Sequence, residues 1–285
     1  MRVLVVAFAM ATLAALPYAT ASGAAPSRQI VGSEQDHSLA TETSDCEHFY
    51  KTTFTSFHAQ SRDQEQREFP LTGIDLLKVT ASDEGGVSIR GWNRPFARLI
   101  VCSYAAAHTK AQANRVLGAI TVSSTNGEIS AAGPPIDTNQ AWWVNMILYV
   151  PRRATVDIRA ASGGVAIRNM SGSVTAHATS GGISVAQSSG RYKISTNHGG
   201  ITLDRVSGSV EATSRDGAIA LKLPPADAQT VEAKIAEGGE ILCTLRGCEG
   251  GQWGAGRRQL RIGAGNPDIR LNTVAAPIII GPVTF

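Results

Sequence analysis

The sequence predicts an all-β, single-domain β-solenoid whose rungs repeat about every 18 residues, with two strands in each rung. Three observations predict it. Glycine turns recur, with Ser162-Gly163-Gly164 returning as Ser180-Gly181-Gly182, His198-Gly199-Gly200 and Asp216-Gly217-Ala218. A second set interleaves at the half period, at Gly172-Ser173, Gly190-Arg191 and Gly208-Ser209. Between turns, apolar and polar residues alternate, the period of a strand with one buried face.

The elements follow in order. Arg2, the apolar run Val3–Leu16 and Ala19-Thr20-Ala21 have the form of a cleaved targeting segment over residues 1–21. Residues 22–44 are polar without apolar period and read as a flexible leader; the β-solenoid domain is expected over 45–285. Cys46 to Phe57 is expected to be a strand, and the charged residues 58–68 a solvated loop. Strand pattern runs over Ile74–Val79, Gly85–Ile89 and Arg98–Tyr104. The Ala-rich stretch 105–117 predicts one short helix, ended by Gly118, covering an end or edge of the sheet. Asn126-Gly127 predicts a tight hairpin. Trp142–Val150 is a long apolar strand stopped by Pro151. The regular array spans 155–223 and breaks at Pro224-Pro225; less regular rungs follow to Ile280.

Strand phase assigns the core. Val165/Ile167, Val174/Ala176, Ile183/Val185, Tyr192/Ile194, Ile201/Leu203, Val210/Ala212 and Ile219/Leu221 are expected to stack inward as apolar ladders. Ala166, Ser184, Thr202 and Ala220 then point outward on one sheet; Thr175, Lys193 and Glu211 point outward on the other.

Composition bounds the function. The formal charge is +3, or +2 without Arg2, and no basic run of the density that nucleic acid requires is present. No later apolar run is long enough for a membrane helix. Export to an oxidising compartment, periplasmic or extracellular, makes the four cysteines disulfide candidates. Cys243 and Cys248 suit a local loop, leaving Cys46 and Cys102 as the other pair. Zinc spacing is absent.

These features resemble the bacterial DUF4097 family of proposed adhesins. The resemblance rests on Gly85-Gly86-Val87-Ser88-Ile89-Arg90-Gly91-Trp92, the strand end Tyr149-Val150-Pro151, the Ser-Gly-Gly and Ser-Gly-Ser turns, Cys243 with Cys248, and the closing Asp268–Val274 strand. At its last turn Thr273-Val274-Ala275-Ala276 departs from the Thr-Val-Asn-Gly of many members. The resemblance implies a β-solenoid-like fold outside the cytoplasm, and no catalytic residues.

The search for chemistry agrees with that. A calcium-binding glycine–aspartate repeat is absent. Asp204 and Glu211 fall on different strands and opposite sheets, so they do not form a catalytic carboxylate pair. The serines follow turn periodicity and not a nucleophile elbow. No cofactor is expected. The candidate binding surface is the strip Ala166, Ser184, Thr202 and Ala220, with Trp142 and Trp143 as residues that could stack on a sugar. The expected partner is an envelope polysaccharide, another glycan or a protein. The alternatives are a carbohydrate-active enzyme on a β-helix and a structural envelope protein that self-associates.

Overall fold

The computed structural model describes Cys46 and residues 57–224 and 229–283. The chain divides into two compact units, Met1–Thr52 and Thr53–Phe285, and every element below belongs to the second. The targeting segment, the leader and the interior of the 46–57 strand lie outside the described residues.

The elements run β1 (Ala59–Pro70), β2 (Leu77–Thr80), β3 (Val87–Trp92), β4 (Phe96–Ala107), α1 (Lys110–Gly118), β5 (Thr121–Thr125), β6 (Glu128–Ala132) and β7 (Gln140–Pro151). The array continues with β8 (Val156–Ala160), β9 (Val165–Arg168), β10 (Ser173–Ala178), β11 (Ile183–Thr196), β12 (Ile201–Ser214) and β13 (Ile219–Leu223). It closes with β14 (Val231–Ile235), β15 (Ile241–Cys243), β16 (Gln252–Gly254), β17 (Gln259–Ile262), β18 (Ile269–Thr273) and β19 (Ile278–Pro282).

These strands form one continuous, mixed sheet that curls into two facing walls. The first wall runs β5-β6-β2-β8-β10, then the second halves of β11 and β12, then β18-β14-β17-β16. The second runs β1-β4-β7-β3-β9, the first halves of β11 and β12, then β13-β19-β15. β11 and β12 pass from one wall to the other at a corner. There Gly190 (φ 122°) and Gly208 (φ 92°) take the left-handed backbone that glycine tolerates best. Asn169, Gln187 and Arg205, one repeat apart, are left-handed at the same corner (φ 57°, 50° and 52°), a conformation that side chains make costly except in Asn.

The array pairs in parallel with the 18-residue register intact: Val165, Ile183, Ile201 and Ile219 are successive neighbours. All the side chains assigned inward are buried in one core between the walls. Tyr192 is the largest of them, and its hydroxyl lies 3.1 Å from the carbonyl oxygens of both Met170 and Ser189. Burial raises its pKa to about 12 from 10.0, against the lowering by its hydrogen bond to Ser188. The unfolded chain therefore loses this proton first, and stability falls as pH rises from 10 toward 12. We expect about 3 kcal/mol to be lost across that window. Denaturation followed against pH, with phenolate absorbance as the monitor, checks it; a stability unchanged through the window would refute it.

Spatial order departs from chain order at both ends. β2 and β3 are inserted between β6/β7 and β8/β9. β18 and β19 are likewise inserted between β12/β13 and β14/β15. The last rung in sequence is thus an interior rung, and its Ile269, Leu271, Ile278 and Ile280 are fully buried.

Two local expectations are corrected. Residues 58–68 are not a loop: β1 pairs antiparallel with β4 along its whole length and is the outermost strand of the second wall among the described residues. Its run of charge is what a long edge strand needs to avoid pairing with another chain. The helix is shorter than 105–117. Ala105, Ala106 and Ala107 end β4, between β1 and β7, and are fully buried. Helix α1 begins only after Thr109, whose hydroxyl accepts from Gln112 N at 3.2 Å while Gln112 Oε1 accepts from Thr109 N at 3.1 Å. It packs on β4 and β1 through Ala113 and Val116.

Cys243 and Cys248 are joined in a disulfide, and Cys46 and Cys102 are both disulfide-bonded. So short a loop removes little chain entropy, and Cys243→Ser/Cys248→Ser is expected to lose about 2 kcal/mol. Urea denaturation of the double variant tests this; a loss as large as that of a core substitution would mean the bridge does more than close a loop.

Candidate functional site

The two outer faces of the walls differ along their central rows. On the first, register brings Glu128, Lys78, Asp157, Thr175, Lys193, Glu211, Arg270, Glu232 and Arg261 into one row across successive strands. Charge alternates along it. Lys78 Nζ donates to Glu128 Oε1 at 2.8 Å, which holds that carboxyl below its usual range and raises the lysine. Lys234 pairs with Glu232 at 2.8 Å and lowers it in the same way, helped by Arg261 and Arg270. Opposite charges directly across strands favour the pairing, and the row is largely neutralised within itself.

On the second wall the outward row is Ser88, Ala166, Ser184, Thr202, Ala220, Ile279 and Leu242. It carries no charge. The predicted strip therefore lies side by side in one row, and it is lengthened by two exposed apolar residues, Ile279 (45%) and Leu242 (41%). Two residues earlier on each strand lies a second row of Gly86, Gly164, Gly182, Gly200 and Ala218. Over these two rows the wall has almost no side chains above its backbone; two residues later on the same strands, Arg90, Arg168, Asp204 and Lys222 border the platform with charge.

The glycines of each turn serve different ends. A Cβ on Gly163, Gly181, Gly199 or Gly217 would stand 1.9–2.1 Å from a carbonyl oxygen of the rung beside it, so no other residue fits. A Cβ on Gly164, Gly182 or Gly200 would lie 3.3–3.5 Å from its nearest neighbour, and Ala218 holds the equivalent place in the next rung. Stacking alone does not demand the second glycine, so the bareness of this face is not imposed by the core.

Trp142 and Trp143 are not on this platform. Both are buried, at 8% and 7% exposure, and neither can stack on a sugar. β7 is paired on both sides. Trp143 stacks on Tyr104 at 4.5 Å, and Trp142 donates from Nε1 to Pro134 O at 2.6 Å beneath Gly133. Trp92, by contrast, is only half-buried, at the end of β3 among arginines. In the sequence it stands out only as the end of the Gly85–Trp92 segment, because its neighbours in space come from other rungs.

Asp204 points outward on the second wall and Glu211 on the first, so these acids do not converge. His198 Nδ1 lies 2.8 Å from Asp216 Oδ2 on the turn ladder, with both side chains exposed. Among the described residues no cluster of three or more His, Cys, Asp or Glu side chains could hold a metal, and no helix is long and apolar enough to cross a membrane.

The sequence profile of the Toastrack DUF4097 family matches residues 21–247. The chain belongs to that family. The match begins before the resemblance read from the sequence and ends within the Cys243–Cys248 loop, ahead of β16–β19. Two solved structures are similar to this Toastrack chain. One is of a candidate cell adhesion protein from Clostridium sporogenes ATCC 15579, at 12% identity and a TM-score of 0.41, covering 78% of this chain and 100% of that one. The other is of a candidate adhesin from Bacteroides fragilis NCTC 9343, at 9% identity and a TM-score of 0.28, covering 79% and 100%. No curated protein matches the Toastrack chain.

Proposed function

We propose that this protein is an exported, non-enzymatic β-solenoid module that binds an envelope polymer, a glycan or a protein through the outer face of its second wall. The observation that carries the reading is the contrast between the walls. On one face the central row alternates in charge, with Lys78 paired to Glu128 and Glu232 paired to Lys234. The other keeps a row of glycines that stacking does not need, beside a row of Ala, Ser and Thr. Such a surface lets a partner reach the backbone plane with little side-chain entropy to lose. The oxidised state of all four cysteines suits an extracytoplasmic location.

Ala166→Arg and Ala220→Arg each raise a long charged side chain on the platform without touching the core. Each is expected to weaken binding to an envelope fraction by about tenfold or more, since an unpaired charge must be desolvated at the contact, while thermal stability stays unchanged. Lys193→Ala on the first wall is the control. Binding unaffected by both arginines would move the site off this face.

A second reading has its own observation. Leu242 and Ile279 are exposed side by side on β15 and β19, at the end of the second wall among the described residues. Such an apolar pair suits self-association. A strictly monomeric species at high concentration would sink it.

A further inference from the structure

The outward residues of β3 continue past Ser88 to Arg90 and Trp92, and at Trp92 the platform ends in a cleft of about 510 Å³. Three turns build it: the β3–β4 turn, the β7–β8 turn and the β9–β10 turn. Their backbones are stitched together, since Arg152 N donates to Trp92 O at 3.1 Å and Ser171 N donates to Arg152 O at 2.7 Å. Two glycines permit this stacking. A Cβ on Gly91 would lie 2.1 Å from Asn169 O, and one on Gly172 would lie 2.3 Å from Ala154 O.

The lining has two characters. Arg152 and Arg153 bring two exposed guanidinium groups to it beside that of Arg94, and none of the described residues that line it is acidic. Arg152 and Arg153 are exposed, and neither is in an ion pair with a carboxylate among the described residues. The Arg94 guanidinium lies over Trp92 at 5.1 Å and Phe96 at 5.9 Å from the ring centroids, so an aromatic surface holds its charged head in place. Trp92, Pro95 and Pro151 supply rigid apolar walls.

We propose that this cleft is a binding site for an anionic saccharide, a sugar ring carrying a phosphate ester or a carboxylate. Guanidinium groups present paired N–H donors that match either oxyanion. A single oxyanion would leave most of the cleft empty, whereas an acidic sugar occupies more of it and sets the C–H face of its ring against Pro95 and Pro151. Three cations gathered in one cleft are too local to follow a nucleic-acid backbone, which calls for a stripe. The inference stands on the cleft residues and survives if the platform reading fails.

The test uses the oxidised mature chain and titration calorimetry with four probes: glucose 6-phosphate, glucuronate, glucose and inorganic phosphate. The two acidic sugars are expected to saturate and to weaken as salt rises. Inorganic phosphate should bind about tenfold more weakly, for want of the ring contact, and glucose not measurably. Arg152→Ala/Arg153→Ala lies on an exposed turn and should keep its thermal stability while losing affinity by about 100-fold, through two charge-assisted contacts. Arg94→Gln gives a third, independent position. Glucose binding as well as its phosphate, inorganic phosphate binding as tightly as the acidic sugars, or an unchanged affinity in the double variant would each overturn the site. So would a protein that binds phosphatidylglycerol vesicles and none of the sugars. Ala220→Arg, far along the platform, separates the two readings, because it should weaken envelope binding and spare the acidic sugars.

Discussion

Val185→Asp is expected to abolish folding. Val185 is fully buried, and its neighbours in register, Ile167 and Leu203, are fully buried too. A carboxylate there has no partner from either rung, and protonation still leaves a polar group among apolar ones. The cost is about 5 kcal/mol or more, set against a total stability of about 5–15 kcal/mol for a domain of ordinary size. Because each rung rests on its neighbours, the damage should spread beyond one strand. Ser184→Asp, one residue away and outward, should change stability by only about 0.5 kcal/mol in either direction. Circular dichroism and urea denaturation of the two variants test the phase directly. A folded Val185→Asp protein with native stability would mean that the strand faces the other way.

That phase was legible because a solenoid repeats its own evidence. Each inward pair from Val165 to Leu221 recurs at the same offset, so a chance alternation in one strand is checked by the next. Where repetition stops, legibility stops. The charged run 59–68 reads as loop because an edge strand need bury little, and its partner β4 lies 30 or more residues further on. Ala105–Ala107 reads as helix because alanine favours helices, but pairing from both β1 and β7 overrides that preference. The insertion of β18 and β19 between earlier rungs leaves no local mark, since strand pattern does not say which neighbour a strand takes. The platform could be found by counting, since its members share a repeat position. The arginine cleft could not, because Trp92, Arg94, Arg152 and Arg153 belong to turns that meet only through stacking. Trp142 and Trp143 misled for a related reason. Adjacent residues on a strand face opposite ways, but a strand paired on both edges can be covered on both faces.

Gly181→Ala and Gly182→Ala should part company sharply, although they differ by one position in the same turn. The added methyl at Gly181 would meet Gly163 O at 2.0 Å and Gly163 C at 2.6 Å. Both are backbone atoms of a paired rung, so relief requires the rungs themselves to separate and their ladder hydrogen bonds to lengthen. A loss of about 3 kcal/mol or more is expected. At Gly182 the methyl would meet only Gly200 O, at 3.3 Å, and the backbone there is not left-handed. The gain from a stiffer unfolded chain then offsets a tight contact, and the net change should stay within about 0.5 kcal/mol. Ala218 already shows that the position accepts a methyl. Gly182→Lys carries the same contrast to function: its stem leaves the backbone at an exposed place, so the fold should hold while the platform is blocked. Thermal denaturation ranks the three variants, and binding to an envelope fraction is measured on those that fold. Equal losses of stability at the two glycines would mean that both are needed for stacking, and the bare face would then follow from the core alone.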